Sequence, residues 1–315
     1  MTLHVAFVTD RPYVPWCATG LLSCVDAHPA GALHLHVVHD GSLTAADVQD
    51  LRSMVGDASL SVHAVDPSEV QHLPAVDRFG QVVWLRFLLP DLLPDVERVL
   101  YLDADTFVAA DLTALAEVDL GGAPLAAVQN VATPAQQERL AALGIADASH
   151  TLNSGVLLMD LARMRAEDLL GKVARTTAER TDELQWPDQD VLNLVCAGRW
   201  HVLDPRYNVQ NSFFEWGPLA EEVLGGSALA AALAQPAVVH FEGPSLCKPW
   251  HVLCRHPWRD RYLAVLARTP WSEVGLEDDR WATRAIGRLP GRWQLSAYRR
   301  LVRREAARQS RSVER

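Results

Sequence analysis

Lysine-rich runs, long apolar stretches and a dense cysteine framework are all missing from this 315-residue chain. No apolar run approaches the roughly 20 residues that cross a bilayer, so no transmembrane helix is expected. The N-terminus, Met1-Thr-Leu-His-Val-Ala-Phe7, has no basic region and no cleavage site. It reads as a first strand rather than a signal peptide. Five cysteines, 17, 24, 196, 247 and 254, are odd in number and scattered. A disulfide scaffold is therefore excluded, and a reducing cytoplasmic setting is the expectation. Internal repeats and low-complexity segments are absent as well.

Charge is unevenly spread. Residues 280–315 hold eleven Arg against Glu305 and Glu314, a net of +9, so the whole-chain charge of −10 leaves −19 on residues 1–279. An acidic body argues against nucleic acid as its partner. The expected division is a body over 1–270 and a basic Arg/Trp-rich tail over 271–315. In the tail Trp281, Ile286, Leu289, Trp293, Tyr298, Leu301 and Val302 interleave with Arg284, Arg288, Arg292, Arg299, Arg300, Arg303 and Arg304. That pattern predicts amphipathic helices broken at Pro290-Gly291. It suits peripheral contact with an anionic membrane or packing on the acidic body.

What is present is an alternation of short apolar runs and helical stretches. Strands are predicted at Leu3–Thr9, Leu33–Val38, Leu60–Val65, Val99–Leu102, Pro124–Val128, Leu152–Leu158 and Ala237–Phe241. Helices are predicted over Trp16–Ala27, Thr44–Val55 (with Thr44 and Asp47 as a capping pair), Phe79–Leu89, Leu161–Glu179, from Pro187, over 217–234, and over Pro257–Ala267. Residues 129–147 read as a polar excursion or lid. The class is α/β with a mostly parallel sheet.

The chemistry gathers at the ends of these strands. Asp10 follows the first. Asp103 and Asp105 follow the fourth, spaced so that extended backbone points both side chains the same way. Two carboxylates there suit Mg²⁺ or Mn²⁺, and open α/β sheets bind ligands at this edge. Arg86 is the one charge in an apolar stretch, an ion-pair partner or a ligand contact. Asn153 and Gly155 interrupt a buried strand. That glycine marks either a bulge or close approach of a ligand. Asp188 and Asp190 flank Gln189 at a helix start.

Four segments, Val99-Leu-Tyr-Leu-Asp-Ala-Asp105, Leu152-Asn-Ser-Gly-Val-Leu-Leu-Met-Asp160, Pro187-Asp-Gln-Asp-Val-Leu-Asn193, and His240-Phe-Glu-Gly243 with Lys248-Pro-Trp250, stand in this order. Together they resemble the retaining glycosyltransferases of family 8, over roughly residues 3–265. The resemblance implies a GT-A fold with a Rossmann-like nucleotide-sugar site. It implies hexosyl transfer (galactose or glucose) from a UDP-sugar to a glycan, lipid-linked or other hydroxyl acceptor, with Mn²⁺ or Mg²⁺ as cofactor.

Residue by residue, the resemblance assigns the metal to Asp103, Asp105 and His240, and uracil or ribose to Asp10. Donor sugar and phosphate contacts fall to Arg86, Ala104, Asn153 and Ser154. Sugar hydroxyls go to Asp188, and the leaving diphosphate to Gly243 and Lys248. Gln189 stands beside the anomeric carbon. An amide is a poor nucleophile, so a front-face path is expected, in which a UDP oxygen takes the acceptor proton and Gln189 assists electrostatically. Trp250 is expected to pack the loop.

Three features depart from the family. Pro12 stands where a polar residue is common, Pro-Ser-Leu-Cys lengthens the loop between Gly243 and Lys248, and the 129–150 region shows no acceptor pattern. Three other readings compete. One is a haloacid-dehalogenase-type phosphohydrolase using Asp103 and Asp105, although Phe107 stands where its motif wants Thr. The others are a non-catalytic nucleotide-sugar scaffold and a zinc module on Cys247, His251, Cys254 and His256.

Overall fold

The computed structural model describes residues 2–71, 73, 80–290 and 293–302. A seven-stranded sheet runs through the body in the order β3-β2-β1-β4-β7-β6-β8. Its strands are β1 (Leu3–Thr9), β2 (Leu33–His39), β3 (Ser59–Ala64), β4 (Arg98–Leu102), β6 (Leu125–Gln129), β7 (Leu152–Asp160) and β8 (His201–Val202). β7 alone runs against its neighbours, antiparallel to both β4 and β6. The sheet is thus mixed and mostly parallel, as expected.

Burial on both faces explains why these strands read as nearly continuous apolar runs. Val5, Phe7, Leu35 and Leu100 face one core, shared with α1 (Val14–Asp26). Ala6, Val8, Tyr101 and Met159 face the other, which contains the fully buried Trp84. β1 lies between β2 and β4, so the chain leaves β1 on one side and returns on the other. Asp10 and Asp103 flank that switch point at the strands' carboxyl ends, where such sheets open a crevice.

A second, three-stranded sheet was not expected. β5 (Thr106–Val108) pairs antiparallel with β10 (Val238–His240), and β10 pairs parallel with β9 (Val209–Gln210). The strand foreseen at Ala237–Phe241 therefore belongs to this small sheet and not to the main one. Its register sets His240 opposite Thr106, one residue after Asp105. Trp16, Phe107, Phe241, Trp250 and Tyr262 form a third core beneath it. Trp250 is buried and stacks on Trp16 with ring centroids 4.4 Å apart, so it packs the loop.

Helix α2 (Ala45–Met54) starts as foreseen: the Asp47 amide donates to Thr44 Oγ1 and the Thr44 amide to Asp47 Oδ2. Four other segments differ. Pro15 lies inside the first turn of α1, where a missing N–H costs nothing. The segment expected as one helix over 79–89 is a 3₁₀ helix, Val82–Leu88, followed by the short α3 (Leu89–Leu92), and Phe79 lies outside the described residues. The helix foreseen over Leu161–Glu179 is two, α5 (Leu161–Ala166) and α6 (Leu169–Arg180), separated at Asp168, whose φ is 49°. A left-handed residue ends one helix and, with its side chain on the Gly171 amide, starts the next.

The Ala-rich stretch 217–234 divides at Gly225, φ 81°, after a short α8 (Asn211–Glu215), into α9 (Gly217–Leu224) and α10 (Gly226–Ala234). The excursion after β6 contains an ordered helix, α4 (Pro134–Ala142), capped by Thr133 and Gln136. α7 (Pro187–Cys196) is clamped to β7 by Asn193, whose amide both accepts from the Leu152 N–H and donates to its carbonyl. α11 (Arg259–Leu266) and α12 (Trp281–Gly287) follow, and residues 293–302 are helical. The break at Gly291, and Arg292, Arg303 and Arg304, lie outside the described residues.

Among the described residues no helix is long and apolar enough to cross a membrane.

Candidate active site

A cleft of about 670 Å³ opens at the switch point. Every residue assigned from the family resemblance lines it: Asp10, Arg86, Asp103, Ala104, Asp105, Asn153, Ser154, Asp188, Gln189, His240, Gly243 and Lys248.

Asp103 and Asp105 do not converge by extended alternation. β4 ends at Leu102 and the chain turns, with the Thr106 amide donating to the Asp103 carbonyl. That turn and the β5–β10 pairing bring the two carboxylates and the His240 imidazole within 4.8 Å of one another. His240 Nε2 lies 3.3 Å from Asp105 and 3.7 Å from Asp103. Its other nitrogen, Nδ1, is 3.1 Å from Asn208 Oδ1. A proton on Nδ1 donated to that oxygen leaves the Nε2 lone pair facing the carboxylates, which is the tautomer a metal ligand needs. Asn208 is held in turn by Asn153, whose Oδ1 accepts from its Nδ2 at 2.8 Å.

Gly155 makes room for this ring. A Cβ there would sit 2.1 Å from His240 Cε1 and 2.7 Å from both ring nitrogens. The glycine foreseen as a bulge or ligand approach instead admits a side chain of the site itself.

Two buried cations pair with three of the carboxylates in the cleft. Arg86 is buried, with Nη2 3.1 Å from Asp103 and Nη1 2.9 Å from Asp188, and its guanidinium stacks over Tyr101. It is thus an ion-pair partner at the site itself. Lys248 is also buried; its ammonium pairs with Asp105 and donates to the Phe241 carbonyl at 2.6 Å. The longer loop before it, Ser245–Cys247, is one turn of 3₁₀ helix.

Burial opposes ionisation of Asp105, but Lys248 and His240 outweigh it and hold the carboxyl below its ordinary value. Burial, with repulsion from Asp105, outweighs Arg86 at Asp103 and raises that carboxyl. Burial lowers His240, yet Asp105 and Asp103 together raise it. At Asp10 burial and Asp40 push the carboxyl up against the Tyr13 amide bond to Oδ1. Two carboxylates this close repel one another, and a neighbouring cation relieves that repulsion.

Opposite the triad lies the start of α7. Ser154 Oγ donates to Asp188 at 3.0 Å, and the Ser154 amide donates to Gln189 Oε1 at 3.2 Å. Both side chains are therefore positioned by β7. Asp190 is turned away from the cleft. It takes a bidentate pair from Arg139 of α4 at 2.8 and 2.9 Å and two amides, of Gln185 and Trp186, at the helix start. Asn153 is buried among Asn208, Glu242 and the Gly155 amide. The reading of the sequence missed Asn208, Arg139 and Glu242. Only Glu242 carried a signal, being part of the His240–Gly243 segment.

The four residues of the zinc-module reading keep separate partners. His251 meets Tyr298, the Cys247 thiol donates to Glu215, the Cys254 thiol reaches only the backbone carbonyl of Cys247, and His256 packs edge-on against Phe214 and Phe241. Among the described residues, the groups of three or more metal-capable side chains do not include them. That reading is overturned.

The donor set fits a hard or borderline divalent ion: two carboxylates and one imidazole, with Gly155 leaving room for the ring.

The fold and the sequence have relatives among known proteins. General stress protein A of Bacillus subtilis is 30% identical over 215 residues, spanning 67% of this chain and 73% of that protein. The lipopolysaccharide 1,3-galactosyltransferase of Salmonella typhimurium is 25% identical over 87% of this chain and 80% of its own length. The crystal structure of the galactosyltransferase LgtC with donor and acceptor sugar analogs covers 93% of this chain and 99% of its own, at 22% identity and a TM-score of 0.73. That likeness shows the GT-A fold. The sequence profile of glycosyl transferase family 8 matches residues 4–254. The chain belongs to glycosyl transferase family 8.

Proposed function

We propose that this glycosyltransferase moves a hexose, galactose or glucose, from a UDP-sugar to a hydroxyl acceptor with retention at the anomeric carbon. The observation that carries the proposal is the triad Asp103–Asp105–His240 facing Asp188 and Gln189 across one cleft. Support comes from relatives named as lipopolysaccharide galactosyl- and glucosyltransferases. Family membership sets aside the phosphohydrolase alternative, and the complete triad speaks against a scaffold without activity. Residues 1–270 form the catalytic unit in this reading, and 271–315 an appended segment.

Asp103, Asp105 and His240 would hold Mn²⁺ or Mg²⁺. When bound, the ion supplies positive charge that stabilises the departing diphosphate. Asp10 at the end of β1 holds the uridine, and Arg86, Ala104, Asn153 and Ser154 hold the sugar and phosphates. Asp188, fixed by Arg86 and Ser154, orients sugar hydroxyls. Lys248 neutralises Asp105 in the resting enzyme. With a donor bound, its ammonium would be placed to meet the diphosphate beside the backbone of Gly243, where a mobile point charge is effective. Gln189 is held by the Ser154 amide next to the anomeric carbon. It assists electrostatically while a UDP oxygen takes the acceptor proton.

The test is a donor screen following UDP release. One UDP-hexose should turn over, EDTA should abolish turnover, and Mn²⁺ should restore it. Turnover indifferent to EDTA would remove the metal from this reading, and a glycosyl adduct trapped on Gln189 would remove the front-face path.

The appended segment leaves aromatic surface in the open. Trp281 is 84% and Trp293 57% exposed, near Arg284, Arg288, Arg299 and Arg300, while Thr283 and Gln294 are buried and Tyr298 meets His251. The segment therefore packs on the body at Tyr298 while keeping an exposed aromatic surface. We propose that this face meets anionic lipid. Vesicles containing phosphatidylglycerol should float the full chain and fail to float Trp281→Ala/Trp293→Ala; equal flotation of the two would sink the idea.

A further inference from the structure

Four histidines share one face of the main sheet, running diagonally from the start of β1 and β2 to His63 near the end of β3. His4, His34, His36 and His63 come from β1, β2 and β3. The parallel register pairs His4 with His34 and His63 with Val38, so two turns of pleat bring all four rings to one face. His4 lies six residues before Asp10, about 20 Å along the strand. None of the four histidines lines the transfer cleft.

Two nitrogen pairs in the group face each other, and the fourth ring stacks beside them. His4 Nδ1 is 3.0 Å from His36 Nε2, and His36 Nδ1 is 3.3 Å from His63 Nε2. His34 and His36 stack with ring centroids 4.5 Å apart, and His34 Nε2 meets Ser61 Oγ at 2.9 Å. One nitrogen each from His4, His34 and His36 lies within 4.8 Å of the other two. His36 is buried; the other three are partly exposed, so an ion has a path to them. Burial and then the neighbouring His34, His4 and His63 push His36 down to about 3, and burial also lowers His4 and His63.

We propose that His4, His34 and His36 form a second metal site, for a borderline transition ion of the zinc class, with His63 fixing the His36 tautomer. A neutral imidazole has one N–H and one lone pair. If His36 donates Nδ1–H to His63, its Nε2 is free for a ligand bond, and the ion takes the place of the proton shared with His4 Nδ1. Nitrogens around a tetrahedral zinc stand roughly 3.3 Å apart, given Zn–N bonds of about 2.0–2.1 Å. The 3.0 Å pair is already near that spacing. The hydrogen-bonded outer imidazole is the partner that metal-bound histidines ordinarily keep.

All-imidazole donors select Zn²⁺, Ni²⁺ or Cu²⁺, whereas the two carboxylates of the transfer cleft suit Mg²⁺ or Mn²⁺. The two sites therefore sort ions by chemistry. Because its ligands come from β1 and β2, and His63 from the edge strand β3, the second site acts as a clip on that edge of the sheet.

The experiment uses untagged full-length chain carrying Asp105→Asn, which weakens the cleft as a competing site. Equilibrium dialysis against Zn²⁺ should find one equivalent bound, with a zinc-dependent rise in Tm. Adding His4→Asn and His34→Asn should weaken binding at least tenfold and abolish the rise. Undiminished zinc binding in that variant, or none in the Asp105→Asn chain, overturns the proposal. If the triple variant does not fold, X-ray absorption of zinc on the Asp105→Asn chain decides: a shell of three imidazoles supports the site, and an oxygen-rich shell refutes it.

Discussion

Replacing Gly155 with alanine should remove nearly all transferase activity while leaving every assigned ligand in the sequence. The added methyl would lie 2.1 Å from His240 Cε1, so the ring must leave its place. It cannot do so freely: Nδ1 is tied to Asn208, which is tied to Asn153 on the same strand as the glycine. Overpacking of this kind costs about 1–3 kcal/mol of stability. The larger effect is on turnover, because a displacement of about 1 Å at a reacting centre can cost on the order of 10²-fold. The double variant Gly155→Ala/His240→Ala separates the two effects. Its Tm should return toward that of His240→Ala alone, since the methyl then occupies space the ring has left, but activity should not return. Full turnover by Gly155→Ala would show that His240 has no part in the reaction.

Asp105→Asn should be the second severe variant, for two distinct reasons. Lys248 is only 4% exposed and pairs with this carboxylate. Breaking a buried pair by removing one partner costs about 3–5 kcal/mol, because the remaining charge stays buried and uncompensated. Activity should fall about 10³-fold, the scale of losing a group that stabilises charge in the transition state. Asp105→Asn/Lys248→Met should recover much of the Tm, measured by calorimetry, and none of the activity. Lys248→Met alone should bind Mn²⁺ about tenfold more tightly, since no ammonium competes for Asp105, while kcat falls (a tenfold change is about 1.4 kcal/mol). A single variant with weaker Mn²⁺ binding would contradict the exchange of Lys248 for the metal.

Much of this could be read before any coordinates. The main-sheet strands announced themselves because burial on both faces makes them apolar throughout, and the helix at Thr44 because its capping pair is local. The carboxylates at the ends of β1 and β4 were legible for the same reason: charge directly after a buried run. What stayed hidden is long-range. β5, β8 and β9 have two or three residues each, too few for any periodicity. Asn208 reaches His240 across 32 positions, and Arg139 reaches Asp190 across 51; no local pattern encodes such pairs. Two errors were avoidable. Gly225-Gly226 interrupts the Ala-rich run in plain sight, and Asp168 is of the residue type that tolerates a left-handed turn. Gly155 is instructive in the other direction: its lack of a side chain was noticed, but the occupant it accommodates lies on another sheet.

The small sheet also governs the order of events during synthesis. The β5–β10 pairing joins segments more than a hundred residues apart in sequence, and until it closes there is no histidine beside the aspartates. Closing so long a loop is entropically slow, and contacts of this span form late in folding. A nascent chain can therefore complete β1 to β4 with its acidic pair unmatched by either His240 or Lys248. Catalytic competence should trail the recovery of bulk secondary structure in a refolding time course.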